Sequence, residues 1–303
     1  MSPDDRAPAA PSGTLFYPEA SAYADDVMAR AGAAFRQGAA TRDIAYGPHP
    51  RQKLDVFTPG PARGATLPLL AFIHGGGWMN GQKEWMAFMA PEILGVPAVF
   101  ASLSYRLAPV SRWPLPLEDC LAATAWLMRN AERFGADLAQ VYIGGHSAGA
   151  HLAASVAVRH RRLADMGGAA RIRGCLPISG TFDMRFSNVA AGSMEDRIQR
   201  NLFASPADAE DASPVLLVDA ETPPFLIAFG ERDFPRIKGQ AVRIAQCLAR
   251  FGVKHEGLEV PGADHFAASA LCVEPGAPWI GAAMRWLRAN APHSRSLAAA
   301  RHE

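Results

Sequence analysis

Several protein classes are excluded by what this chain has little of. It carries only four cysteines in 303 residues, and Cys120, Cys175, Cys247 and Cys272 are far apart and form no CxxC pair. In apolar surroundings they read as reduced core thiols, which points to a cytoplasmic protein. No apolar run approaches the roughly 20 residues that a membrane span requires. The formal net charge is only +1, so no broad basic surface for nucleic acid is implied. The one dense basic run, Arg159-His160-Arg161-Arg162, falls where a helix is expected to end. Cations there complement the helix dipole, and the run reads as a solvated helix end. No two histidines stand four apart beside a carboxylate, so no metal site is expected. Residues 1–13 have no basic stretch leading into an apolar core, so no signal peptide is expected.

Apolar residues make up 49% of the chain, enough for a large core. Residues 14–291 are expected to form one domain, with tails at 1–13 and 292–303. A helix is predicted over 19–37, then short strands over 42–46 and 53–57. The continuous apolar run 69–73 suits a strand buried on both faces. Further strands are predicted over 96–103, 141–144, 172–179, 224–229 and 255–260. Helices are predicted over 116–133, 148–159, the stretch from Ile237 to Phe251, and 277–290. Strands alternating with helices imply an α/β fold with a mostly parallel sheet covered on both faces. Ligands of such sheets bind at the carboxyl ends of the strands. The segment 181–221 is long for a connection and is expected to form a small lid or pocket wall, with a helical patch over 195–203.

The most informative residues are Gly145-His146-Ser147-Ala148-Gly149, between the strand at 141–144 and an alanine-rich helix. A serine with a glycine two residues away on each side, in that context, matches a nucleophile elbow. The tight turn excludes larger side chains at 145 and 149 and pushes the hydroxyl of Ser147 outward. The pentapeptide also occurs by chance in glycine-rich turns, so its weight depends on what accompanies it. Upstream, His74-Gly75-Gly76-Gly77-Trp78 follows the buried strand at 69–73. Acyl transfer passes through an oxyanion that needs backbone N–H donors, and glycines let a backbone come close. Gly75 and Gly76, with Gly77 as an alternative, and Ala148 after the nucleophile are the candidate donors. Asn80 breaks a GxGxxG pattern and no GK[ST] follows, which argues against a phosphate cradle.

A serine nucleophile needs a base, and the base needs an acid. Asp233 follows the strand at 224–229 and His265 the strand at 255–260, in the order serine, acid, histidine. Glu231 is a rival for the acid. Asp264 adjoins His265, His146 is expected to point away from the hydroxyl, and His74 to brace the glycine loop. His151 is expected to pack or hydrogen-bond. Trp78, Phe182 and Phe266 are candidate pocket walls, each equally credible as core.

HGGGW at 74–78, Tyr105-Arg106-Leu107-Ala108-Pro109, GHSAGAHLAA at 145–154 and the Asp233 and His265 loops together resemble an α/β-hydrolase. More narrowly they resemble the hormone-sensitive-lipase-like esterases and the kynurenine formamidase group. The resemblance covers roughly residues 40–290. It implies a cofactor-independent Ser-His-Asp hydrolase. Leu54-Asp55-Val56-Phe57 and the run Ile178-Ser179-Gly180-Thr181-Phe182-Asp183 lean toward the formamidase side, although esterases share most of these features. The expected activity is hydrolysis of small carboxylic esters. Arylformamidase action on N-formyl-kynurenine or a related aryl amide is the alternative, and a non-catalytic ligand-binding hydrolase fold is a third reading. The expected partner is a small ester or amide; a homodimer is an open question.

Overall fold

In the computed structural model, residues 15–37, 39–59, 67–96, 98–168 and 171–288 are described. The tails expected at 1–13 and 292–303 lie outside them. Eight strands form one sheet: β1 (Ala39–Ala45), β2 (Lys53–Thr58), β3 (Leu67–Ile73), β4 (Val99–Leu103), β5 (Ala136–His146), β6 (Ile172–Ile178), β7 (Phe225–Gly230) and β8 (His255–Val260). Their order is β1-β2-β4-β3-β5-β6-β7-β8. The first two pairings, β1 with β2 and β2 with β4, are antiparallel, and all others are parallel. This is the α/β-hydrolase fold.

Ten α-helices accompany the sheet among the described residues. They are α1 (Pro18–Gln37), α2 (Ala90–Leu94), α3 (Leu115–Arg129), α4 (Ala148–Ala157), α5 (Arg161–Asp165), α6 (Met194–Leu202), α7 (Pro206–Asp211), α8 (Pro235–Arg250), α9 (Ala267–Ala270) and α10 (Pro278–Arg288). Alternate residues of β3 enter two separate cores. Leu69, Ala71 and Ile73 pack on one face with residues of α3, α4 and α8. Leu70 and Phe72 pack on the other with residues of α1, α2 and α10. Both faces are therefore covered, which is why β3 reads as an unbroken apolar run. Each fully buried Leu or Phe there contributes about 1.5–3 kcal/mol.

The structure departs from the expected elements in a few places. The first strand begins at Ala39, and the fourth begins at Val99 rather than at 96. The strand before the elbow runs over Ala136–His146, well beyond 141–144. The helix predicted over 116–133 breaks at Asn130 into α3 and a 3-10 turn, Ala131–Phe134, which ends on left-handed Gly135. A second, wholly buried 3-10 turn, Lys83–Met89, was not anticipated. Its residues lack a helical period because they are covered on every side. Lys83 starts this turn and is buried beside Asp55, Glu84 and Asp43, at 2.9, 2.5 and 3.1 Å. Asp55 of the LDVF run thus holds a lysine at the turn.

The basic run at 159–162 is not a bare helix end. His160 is buried, Arg159 pairs with Asp211, Arg161 with Asp219 and Glu221, and Arg162 with Glu118. These contacts tie the 205–221 stretch to the helices behind the elbow.

Candidate active site

The parallel strands bring their carboxyl ends to one edge, and each end contributes one group. β3 delivers the glycine loop, β5 the elbow, β6 Ser179, β7 Asp233 and β8 His265. The elbow is as tight as its glycines imply. A Cβ on Gly145 would lie 2.4 Å from the backbone of Gly149, and one on Gly149 would lie 2.1 Å from the carbonyl oxygen of Ile73. Neither distance is tolerable, so both positions require glycine. Ser147 has φ +55°, a conformation that costs free energy and points its side chain out of the turn. Its own N–H donates to Ile178 O at 2.9 Å, which fastens the turn to β6.

His265 Nε2 lies 3.0 Å from Ser147 Oγ, and His265 Nδ1 lies 2.9 Å from Asp233 Oδ1. The acid is itself held. Oδ1 accepts from the N–H of Phe234 at 2.8 Å, and Oδ2 accepts from the Ser179 hydroxyl at 2.5 Å. Burial would raise the Asp233 carboxyl, but hydrogen bonds from His265, Ser179 and Phe234 and the histidine's charge outweigh it and hold the group below the usual range. The rivals are occupied elsewhere. Glu231 is exposed and accepts from the N–H of Gly262, while Asp264 caps the N–H groups of Phe266 and Ala267.

Opposite the serine, Gly76, Gly77, Trp78 and Ala148 line the cleft. Gly76 has φ +107° and Gly77 φ +61°, and a Cβ on Gly76 would lie 2.3 Å from Asn80 O. Gly75, expected beside Gly76 as a donor, does not line the cleft. It is buried against the elbow, where a Cβ would meet His146 Nδ1 at 3.1 Å and Ser147 Cβ at 3.3 Å. The loop must come that close for Gly76 and Gly77 to reach the cleft. His74 braces it: Nδ1–H donates to Gly75 O at 2.7 Å, and the ring stacks on Tyr105 with centroids 4.4 Å apart. Burial, with nearby Arg51, pushes His74 down to about 3, so it stays neutral.

Two other histidines are also neutral supports. His146 lines the cleft beside the serine, and its Nε2–H donates to the carbonyl of His265 at 3.0 Å. Its ring lies between those of Tyr23 and His265, at 5.5 and 5.1 Å. His151 accepts at Nδ1 from the Trp78 indole N–H at 3.2 Å and donates from Nε2 to Ala212 O at 2.7 Å. Burial takes His146 down to about 3 and His151 to about 4.

Of the expected pocket walls, Trp78 and Phe266 line the cleft, but Phe182 does not. Phe182 is fully buried, with its backbone fixed by Gln240 and Val215, and its neighbour Thr181 faces the cleft instead. Sequence reasoning missed most of the roof. Leu15, Phe16, Tyr17, Ala20 and Tyr23 cover the cleft from the start of α1, and Met194, Arg197 and Ile198 from α6 close its side. Tyr17 stacks on Phe234 with centroids 5.0 Å apart. The aromatic cluster before α1 was the available signal. Sequence reasoning also missed Ser179 as the support of Asp233, although its run had been singled out.

Residues 54–247 match the model of the BD-FAE family. The chain belongs to this family. It is 30% identical over 237 residues to esterase LipC of Mycobacterium tuberculosis, covering 74% of this chain and 59% of LipC. It thus spans about three fifths of that relative's length. It is 26% identical over 230 residues to kynurenine formamidase of Danio rerio, covering 74% of each. A solved bacterial heroin esterase superposes with TM-score 0.71 at 24% identity, over 90% of this chain and 93% of that one. Among the described residues, no group of His, Cys, Asp and Glu is arranged to hold a metal ion, and no helix is long and apolar enough to cross a membrane.

Proposed function

We propose that this BD-FAE chain is a serine hydrolase that cleaves small carboxylic esters through an acyl-enzyme. The observation that carries this reading is the hydrogen-bonded series Ser147–His265–Asp233 on the floor of a cleft lined by Gly76, Gly77 and Ala148. His265 takes the proton of Ser147 as its oxygen attacks the carbonyl carbon. The resulting oxyanion is held by backbone N–H groups of the 76–77 turn and Ala148, at the positive end of α4. His265 returns the proton to the leaving alcohol. Water then attacks the acyl-enzyme, with His265 again as base. Asp233 keeps Nδ1 protonated and stabilises the imidazolium. The cavity volume of about 70 Å³ supports a short acyl group, since each water needs about 10–15 Å³ by that measure.

Ser147→Ala is expected to lower kcat/KM on p-nitrophenyl acetate by ~10⁴-fold or more, with an unchanged melting temperature. A folded variant that retains full turnover would falsify the assignment. In the wild type, a fluorophosphonate probe is expected to label Ser147. The free cysteines, buried apart from half-buried Cys247, support a reducing, cytoplasmic setting.

Arylformamidase action is the second reading. It is favoured by the likeness to kynurenine formamidase over 74% of both chains and by the aromatic side chains around the cleft. The same steps apply, with an arylamine as leaving group. A higher kcat/KM on N-formyl-kynurenine than on acetyl and butyryl esters would reverse the order of the two.

A further inference from the structure

A second cavity opens beside the cleft, between the 107–111 loop and α6. Met79, Asn80 and Arg197 line both, so the two spaces adjoin at these side chains. The groove has a volume of about 400 Å³ and is the more open of the two to solvent.

The charge of this path is one-sided. Arg51 and Arg197 line the groove, and among the described residues no aspartate or glutamate lines either cavity. Arg51 is half-buried and is held by backbone carbonyls alone. Its Nε donates to Tyr105 O at 3.0 Å and its Nη2 to Gly81 O. Among the described residues, no carboxylate oxygen lies within 4.0 Å of its guanidinium. Desolvation lowers its affinity for the proton, and Tyr105, Tyr46 and Glu84, which makes no ion pair with it, offset that only in part. A partly buried charge in that position gains most from an anion, and the planar guanidinium matches a carboxylate.

We propose that this groove is a subsite for a carboxylate carried on the substrate away from the bond that is cut, with Arg51 and Arg197 as its cations. The inference rests on the hydrolase reading and narrows it to esters with a remote anionic end. Neutral esters of the same length fill the path without meeting either charge. The preference weakens with added salt, because the groove is open to solvent.

The test compares p-nitrophenyl monoesters of adipic and suberic acid with p-nitrophenyl hexanoate and octanoate. Each kcat/KM is divided by the spontaneous hydrolysis rate of that ester. The wild type is expected to favour the carboxylate partner by about fivefold or more in at least one pair. Arg51→Gln and Arg197→Gln are each expected to bring that ratio toward one. Because the readout is a ratio, a general loss of activity in either variant cancels. If Arg51→Gln does not fold, Arg197→Gln carries the same measurement. Arg161→Gln, exposed on α5 outside both cavities, leaves the ratio at its wild-type value. A wild-type ratio of one or below overturns the subsite, as does a preference that survives both substitutions. In those outcomes turnover of the neutral esters leaves the hydrolase reading standing. Turnover of no ester in either pair overturns the subsite, and loss of p-nitrophenyl acetate turnover as well overturns both.

Discussion

The floor of the cleft comes from five strand ends of one sheet, whereas its roof comes from the segment before α1 and from α6. The floor is held by backbone contacts and buried hydrogen bonds. Ser147 N–H is bonded to β6, His265 is gripped by Asp233 on one side and through its carbonyl by His146 on the other, and the glycines leave no room for a methyl group. The roof is held by side chains: Tyr17 on Phe234, Phe16 beside Arg197, and Arg236 of α8 paired with Glu195 of α6 at 3.0 Å. The close backbone contacts leave Ser147 and its neighbours little room to move, while side-chain contacts can change without moving the sheet. On the proposed reading, the floor sets the chemistry and the roof selects what reaches it.

The largest effect that separates the two is expected at Gly149. Its replacement by alanine puts a methyl group 2.1 Å from Ile73 O, with backbone on both sides. A loss of about 3 kcal/mol or more in urea unfolding is expected, by the overpacking and backbone mechanisms that give large single-residue effects. An unchanged midpoint would mean that the floor yields as easily as the roof.

Acid is the next probe of the floor. His74, His146 and His151 are buried neutral, at about 3, 3 and 4. In the unfolded chain each takes a proton near 6.5. Between that value and its folded pKa, the unfolded state binds the extra proton, so stability falls as pH falls. The slope approaches ~1.4 kcal/mol per unit for each histidine. Urea titrations at pH 7, 6 and 5, above the carboxylate range, are expected to give steadily decreasing stability. Equal values at all three would show that these rings accept protons in the folded state.

Ser179→Ala removes a donor from Asp233 without touching the serine or the histidine. A loss of roughly tenfold in kcat is expected with KM little changed, the size of one charge-assisted hydrogen bond. An equal rise in KM would move Ser179 from support of the acid to substrate binding.

The smallest effect on stability is expected in the roof. Tyr17→Ala deletes a stack worth about 1 kcal/mol and should leave the melting temperature within a few degrees. Its signature is a several-fold change in KM that differs between short and long esters. A drop in kcat that is the same for every ester would erase the division between floor and roof.

The floor was legible in the sequence because its parts are short and local. Glycine spacing around Ser147, the HGGG run after an apolar strand, and Asp233 and His265 just past two later strands each declare a turn chemistry without reference to the rest of the chain. The roof was not legible. Leu15 to Tyr23 read as a helix lying ahead of the core, because nothing local says where an amphipathic helix docks. Phe182 and Trp78 were equivalent candidates by type. Only packing sent one into the core and the other, anchored on His151, to the cleft wall.

By itself, the sequence determined an α/β fold with a mostly parallel sheet, the order of its strands along the chain and the turns that carry Ser147, Asp233 and His265. Periodicity and turn residues encode those directly, and the resemblance of the motifs added the α/β-hydrolase expectation. Tertiary structure alone decided that Gly76 and Gly77, rather than Gly75, face the cleft, that Ser179 and His146 support the acid and the histidine, and that Arg51 and Arg197 share a groove beside the serine. Each of these depends on contacts between residues distant in the chain, and a pattern read along one chain carries no distance between its parts.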